Sequence, residues 1–228
     1  MRGGGGPVAD ARPAVGPESA RAAILSRIRD ALADQPAPPE VSRTYRRDPE
    51  RGTDVVALFA ERAADYRATV EIVGEPDLPA AIAAALHAHG ARRVAVPADV
   101  PEQWLDGADG THGPGIAWLR DDPPLSVADL DGADGVVTAA ALAIALTGTV
   151  VLDTGTGQGR RILSLLPDLH VCVVRSDQIA ATVPQAIARL DGRRPQTWIS
   201  GPSATSDIEL NRVEGVHGPR SLHIIVVR

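Results

Sequence analysis

The sequence predicts an α/β domain with a mostly parallel sheet covered by helices, preceded by an N-terminal helical extension. Three observations predict it. Beyond residue 68, short Val- and Ile-rich runs alternate with helix-length amphipathic stretches, the pattern that builds helix-covered parallel sheets. Before that point stand two amphipathic helical patterns and no convincing strand. A chain of 228 residues, 44% of them hydrophobic, also suffices for one substantial core. The expected organisation is a flexible tail over 1–16, a helical extension over 17–67 and the α/β domain over 68–228.

Each element has a local reason. Ser19 to Ala33 repeats Ile24, Ile28 and Leu32 at helical spacing, with Pro17 near its start. Gln35 to Pro49 is Pro-rich and reads as a loop. A second helix over Asp54 to Arg67 puts Val56, Phe59, Ala63 and Tyr66 on one stripe. Thr69 to Val73 reads as the first strand. Leu78 to His89 reads as a helix, with Asp77 at its N-cap and Gly90 just past its end. Strands are expected at Arg93 to Pro97, Gly115 to Leu119, Gly135 to Thr138, Thr149 to Asp153, His170 to Val174, Thr197 to Ser200 and Leu222 to Val227. Between the last three, Ser176 caps a helical stripe of Ile179, Val183, Ile187 and Leu190. Pro184 forces a kink or two short helices there, the second capped by Thr182. The uncharged run Gly135 to Leu152 approaches membrane-span length. Its Gly and Thr residues and its β-branched ends instead suit two buried strands around an Ala-rich turn.

Composition narrows function. A net charge of −6 and 3% aromatic residues exclude a basic nucleic-acid field and a base-stacking platform. The basic cluster Arg43, Arg46 and Arg47 sits in the Pro-rich loop and reads as solvated surface. The one cysteine, Cys172, lies in an apolar strand pattern; it supplies neither a disulfide nor the ligands of an iron–sulfur cluster. No resident cofactor and no membrane span are expected. The absence of a signal-peptide pattern suits a cytoplasmic location.

Candidate site residues cluster late in the chain. Gly155, Gly157 and Gly159 alternate after a Val-Val-Leu strand, an arrangement suited to wrapping backbone amides around an anion. Arg160 and Arg161 follow and offer a positive partner for a carboxylate or phosphate. The loop is neither a dinucleotide fingerprint nor a Walker A loop, and a simple turn with two solvated arginines also fits it. Thr147, Gly148 and Thr149 put two hydroxyls around a flexible backbone point. Gly201 and Ser203 open a polar turn in which Asp207 and Glu209 follow; Ser206 with Glu209 also fits a capping box. His217, between Gly215 and Gly218, is exposed on a tight turn. It suits acid/base work, or an imidazole bonded to the backbone. Asp207, Glu209 and His217 are the candidate catalytic groups. No His or Cys spacing argues for a metal.

These motifs resemble the lactate utilisation protein C family, the LUD-domain proteins. The resemblance runs through Thr147 to Thr149, Gly155 to Gly159, Leu166 to His170, Gly201 to Ser203, Asp207 to Glu209 and Gly215 to Pro219. It is close from Val136 to Val227, weaker upstream and absent from 1–16. One departure is plain: Leu146 stands where family members usually carry Glu. The resemblance implies a fold like the NagB/RpiA/CoA-transferase group. It also implies a place in a three-component system oxidising L-lactate to pyruvate, in which iron–sulfur partner proteins carry the redox chemistry. Three functions stay open. One is a subunit binding a small carboxylate or phosphate-bearing ligand, or those partners. Another is a free-standing enzyme acting on a sugar phosphate, acyl-CoA or folate, for which Glu209, or Asp153 with His217, supply candidate groups. The third is a docking protein presenting its Gly-Pro loops.

Overall fold

The structure is a computed structural model that describes residues 17–34, 40–42, 52–106, 115–205, 213–214 and 217–228. Two compact units divide the chain, Met1–Thr44 and Tyr45–Arg228. In the first lies α1 (Pro17–Ala31), on which Ile24 and Ile28 are exposed, as is Leu32 in the turn that follows.

The second unit begins with α2 (Val55–Asp65), whose first turn is capped by the Asp54 carboxylate accepting from the amides of Val56 and Ala57, both at 3.0 Å. Then come β1 (Thr69–Val73), α3 (Leu78–Ala88), β2 (Arg93–Val96), β3 (Ala117–Arg120) and α4 (Val127–Asp131). Next are β4 (Gly135–Ala139), β5 (Leu142–Ile144), β6 (Thr149–Leu152), β7 (Leu169–Arg175), β8 (Ile179–Ala180) and α5 (Val183–Arg189). The chain ends with β9 (Thr197–Ile199), β10 (Ala204–Thr205), β11 (Val213–Glu214) and β12 (Ser221–Val227).

Six strands form an all-parallel sheet in the order β1-β12-β7-β4-β2-β3. Its central strands β7 and β12 are buried on both faces, as a helix-covered parallel sheet requires. The period-2 alternation sorts them cleanly. Val171, Val173, Ile225 and Val227 pack with Leu78, Ile82 and Leu86 of α3, while Cys172, Val174, Ile224 and Val226 face Phe59 and Ala63 of α2. The expected parallel α/β architecture is present. The helix expected over Asp54 to Arg67 forms as α2, and Phe59 and Ala63 are fully buried against the sheet within the larger unit.

A second sheet, β8-β5-β6-β9, is absent from the sequence reading. Here β5–β6 and β6–β9 are antiparallel and only β8–β5 is parallel. Its inner face contributes Ala143 and Val150 to the core beneath α2; its outer face carries Leu142, Ile144 and Val151 under Ala186 of α5. The layers are therefore α3, the parallel sheet, α2 with the second sheet, and α5. The strands at Thr149 and Thr197, expected in the parallel sheet, sit in this second one. Of the two short helices expected around Pro184, the second is present as α5, which starts after its N-cap Thr182 with Pro184 in its first turn. The first is corrected: Ser176–Gln178 is a single 3₁₀ turn, and Ile179 is a strand residue paired with Ala143. The uncharged run 135–152 is β4, the β5–β6 hairpin and a 3₁₀ turn. No helix among the described residues is long and apolar enough to cross a membrane.

Two glycines let this layer close. Gly148, at φ 58°, has no room for a side chain: a Cβ there would meet Ala63 N and Arg62 C of α2, both at 2.5 Å. Gly201, at φ 80°, lies equally tight against the carbonyl oxygen of Tyr66, at the C-terminal end of the same helix. Left-handed backbone already favours glycine, and the helix backbone cannot retreat. Gly148→Ala and Gly201→Ala are each expected to cost about 2–4 kcal/mol in urea unfolding. Gly90→Ala is the control, at φ 68° with nothing within 4 Å of its Cβ, and should cost only about 1 kcal/mol. Equal losses at all three positions would show that backbone conformation, not helix contact, selects these glycines.

Candidate functional site

Because β6 and β9 run antiparallel, Leu152 pairs with Thr197 and Val150 with Ile199. The glycine loop after β6 and the Gly201 turn after β9 therefore leave opposite ends of that ladder. The Thr-Gly-Thr turn before β6 is what meets the Gly201 turn. Thr147 Oγ1 lies 2.7 Å from Thr149 Oγ1, which lies 2.8 Å from Ser200 Oγ, a chain of three hydroxyls.

Beyond Ser200 the two Gly-Pro loops are laced together through Ser203. Its amide donates to the Pro219 carbonyl at 2.8 Å, and its hydroxyl oxygen accepts from the His217 amide at 3.1 Å. That hydroxyl keeps its own proton for another acceptor. His217 is exposed, so the expectation of an accessible ring agrees with its place on the turn. Asp207 and Glu209 lie outside the described residues.

These loops border a cavity of about 230 Å³ lined by Arg161, Ser164, His170, Ser200, Ser203 and His217, with Gly201 among its other walls. His170 was not singled out by the sequence. It stands second in β7, the strand paired with β12 on one side and β4 on the other, and is 1% exposed. Its Nε2 is 2.8 Å from Thr138 Oγ1. Burial pushes its pKa down to about 4, and the positive charge of Arg161 pushes the same way. The ring is therefore neutral at neutral pH. On the same face, Cys172 is buried and its thiol is pushed up to about 12, chiefly by desolvation, so it is an inert core residue.

The glycine loop spends its polar groups internally. The Asp153 amide donates to Gln158 Oε1 at 2.6 Å; the Asp153 carboxylate accepts from the Gly155 amide at 3.0 Å and from Arg194 Nη1 at 2.8 Å. The Gly157 carbonyl accepts from the Ala139 amide at 2.7 Å, tying the loop to the end of β4. Arg160 is equally committed. Its Nε and Nη2 form a fork on Asp121, both at 2.8 Å, and Nη2 also reaches the Leu125 carbonyl at 2.6 Å. Asp121 is nearly buried, and this fork holds its carboxyl below the usual range.

Its neighbour Arg161 is different. It opens a 3₁₀ turn, Arg161–Ser164, and donates from Nη1 to Ser164 Oγ at 3.1 Å. No carboxylate pairs with it among the described residues. Although much of the residue is exposed, desolvation lowers its pKa, though never enough to discharge a guanidinium. Of the two arginines beside the glycines, Arg160 is thus the structural one, and Arg161 holds the cavity wall. Leu146, where the family resemblance leads one to expect an acid, is half exposed and outside that wall.

Among the described residues, a cation without an acid, a neutral imidazole and several hydroxyls therefore share the wall of one cavity. The chain that carries this cavity is similar to known proteins. Residues 127–227 match the family model of the LUD domain. The chain is 48% identical over 209 residues to lactate utilization protein C of Deinococcus radiodurans, covering 90% of each chain. It is 35% identical to lactate utilization protein C of Shouchella clausii over 117 residues, 48% of this chain and 51% of that one. A solved structure of a DUF162 family protein from Deinococcus radiodurans superposes with a TM-score of 0.64 and 46% identity, covering 77% of this chain and 97% of that one.

The buried imidazole makes stability depend on pH. A histidine titrating near 6.5 when unfolded and near 4 when folded leaves the unfolded chain binding more protons between those values. Its contribution is complete above pH 6.5 and is lost as pH falls towards 4, by roughly 3 kcal/mol. Urea midpoints from pH 4 to 7 should fall more steeply with acid in the native chain than in His170→Gln; parallel curves would contradict a neutral buried His170.

Proposed function

The chain belongs to the lactate utilization protein C family, and on that premise we propose that it serves lactate utilisation as a binding subunit for a small carboxylate. The single observation that carries this reading is Arg161, an arginine on the wall of a small cavity with no acid beside it among the described residues. At about 230 Å³ that cavity lies below the roughly 300–1,000 Å³ of clefts for drug-sized ligands, which favours a metabolite the size of lactate. Arg161 pairs with the ligand carboxylate. Ser203, Ser200 and, through it, Thr147 and Thr149 supply hydroxyls for a second polar group. Gly148 and Gly201 hold those hydroxyl-bearing turns in place. His170, neutral and fixed by Thr138, offers a ring edge that does not add to the positive charge. His217 closes the outer wall. The redox step falls to iron–sulfur partner proteins, and the chain works in the cytoplasm.

The alternative, a free-standing enzyme acting on a sugar phosphate, acyl-CoA or folate, has less support. Its sugar-phosphate version needs Asp153 and His217 together. Asp153 is locked to Arg194 and borders a different cavity from His217.

The neighbouring arginines supply the test. Arg161→Gln should lower the affinity for L-lactate or pyruvate roughly 10- to 100-fold in calorimetric titration, since it removes a charge-assisted contact, and should leave the melting temperature nearly unchanged. Arg160→Gln strands Asp121 and should cost about 1–3 kcal/mol of stability, with binding per folded molecule retained. Reversal of the two phenotypes, or binding indifferent to Arg161, would sink the proposal.

A further inference from the structure

The cavity does not end at Arg161. Arg161, Ser164 and Thr197 also line a second cavity of about 290 Å³, whose other walls include Thr154, Gly159, Arg160, Pro195 and Gln196. The guanidinium thus stands at the waist between two lobes. In a chain with 29 Asp and Glu residues, no acid lines either lobe among the described residues. Of the five N–H bonds an arginine offers, Arg161 commits one among the described residues, to Ser164. The second lobe adds main-chain donors. Gly159 turns through φ 66°, and the amides of Gly159 and Arg160 reach no carbonyl among the described residues. Gly159 cannot be filled in, because a Cβ there would strike Leu163 Cδ1.

We propose that the two lobes are one bipartite site, taking a small organic acid with two anionic groups, one on each side of Arg161. The inference deepens the carboxylate reading and rests on it. A single carboxylate occupies two N–H bonds of a guanidinium as a fork, which leaves the opposite edge for a second acid. In the first lobe the anion meets Ser200 and Ser203. In the second it meets the turn amides of Gly159 and Arg160, an anion-binding concavity of the kind successive main-chain N–H groups form. The ligand class is a 2-hydroxy acid extended by a carboxylate or a phosphate ester; both present the same anionic oxygens.

Calorimetric titration of the full chain with L-lactate, L-malate, L-2-hydroxyglutarate and 3-phosphoglycerate tests this. At least one doubly anionic probe should bind ten or more times tighter than L-lactate, and which probe does so assigns carboxylate or phosphate. Gln196→Glu, which sets a negative charge in the second lobe alone, should collapse that ratio at least fivefold. Pro195→Glu, on the exposed rim of the same lobe, serves if the first variant unfolds. L-lactate binding as tightly as every double anion overturns the bipartite site and leaves the carboxylate reading standing. A ratio untouched by both lobe variants also overturns it. Absence of binding by all probes removes both readings.

Discussion

The near-contact of α2 with Gly148 and Gly201 is the constraint on which the rest of the second layer depends. A side chain at either glycine would push the helix backbone away, and with it Phe59 and Ala63, which are sealed against the central strands of the parallel sheet. Because the helix sits so close, the Thr-Gly-Thr turn and the Gly201 turn meet above one helix end and share the hydroxyl chain through Thr149 and Ser200. Ser203 then carries the order outward to the second Gly-Pro loop through two hydrogen bonds. The glycines act by geometry, and the chemistry belongs to what they bring together.

The electrostatics follow the same division. Arg160 and Arg161 are adjacent in sequence and opposite in role. The first completes a nearly buried Asp121 and the Leu125 carbonyl, work that fastens the segment after β3 to the glycine loop. The second is a cation with no acid paired to it among the described residues. Keeping such a charge partly desolvated carries a cost that an anionic ligand removes on binding. It also dictates its surroundings. A second positive charge at His170 would be opposed by both burial and Arg161, so the imidazole is held neutral and bonded to Thr138.

Local pattern made much of the fold legible. The helices at Asp54 and Leu78 and the parallel strands at Thr69, Arg93, Gly135, His170 and Leu222 all carry the periods they need. Strand partnership was not legible. The Val-Val-Leu run of β6 reads like any buried strand, and nothing local says that it pairs antiparallel with residues 197–199 in a second sheet. The stripe beginning at Ile179 misled because its helical spacing is real only from Val183 onward; Ile179 is claimed by Ala143 instead. In the site, the Thr-Gly-Thr and Gly-Pro motifs were visible because glycine and proline announce backbone shape. The distinction between Arg160 and Arg161 was not, since it is decided by Asp121, 39 residues away in sequence. His170 was missed for the same reason: its partner Thr138 lies across the sheet, 32 residues away in sequence.

The central claim is that an unpaired arginine on the cavity wall defines what this protein binds. A crystal structure grown with L-lactate tests it most directly. The account predicts a carboxylate forked on the Arg161 guanidinium beside Ser164, with the Arg160–Asp121 pair intact. Lactate seated elsewhere, or Arg161 closed by an acid of the chain itself, would contradict it.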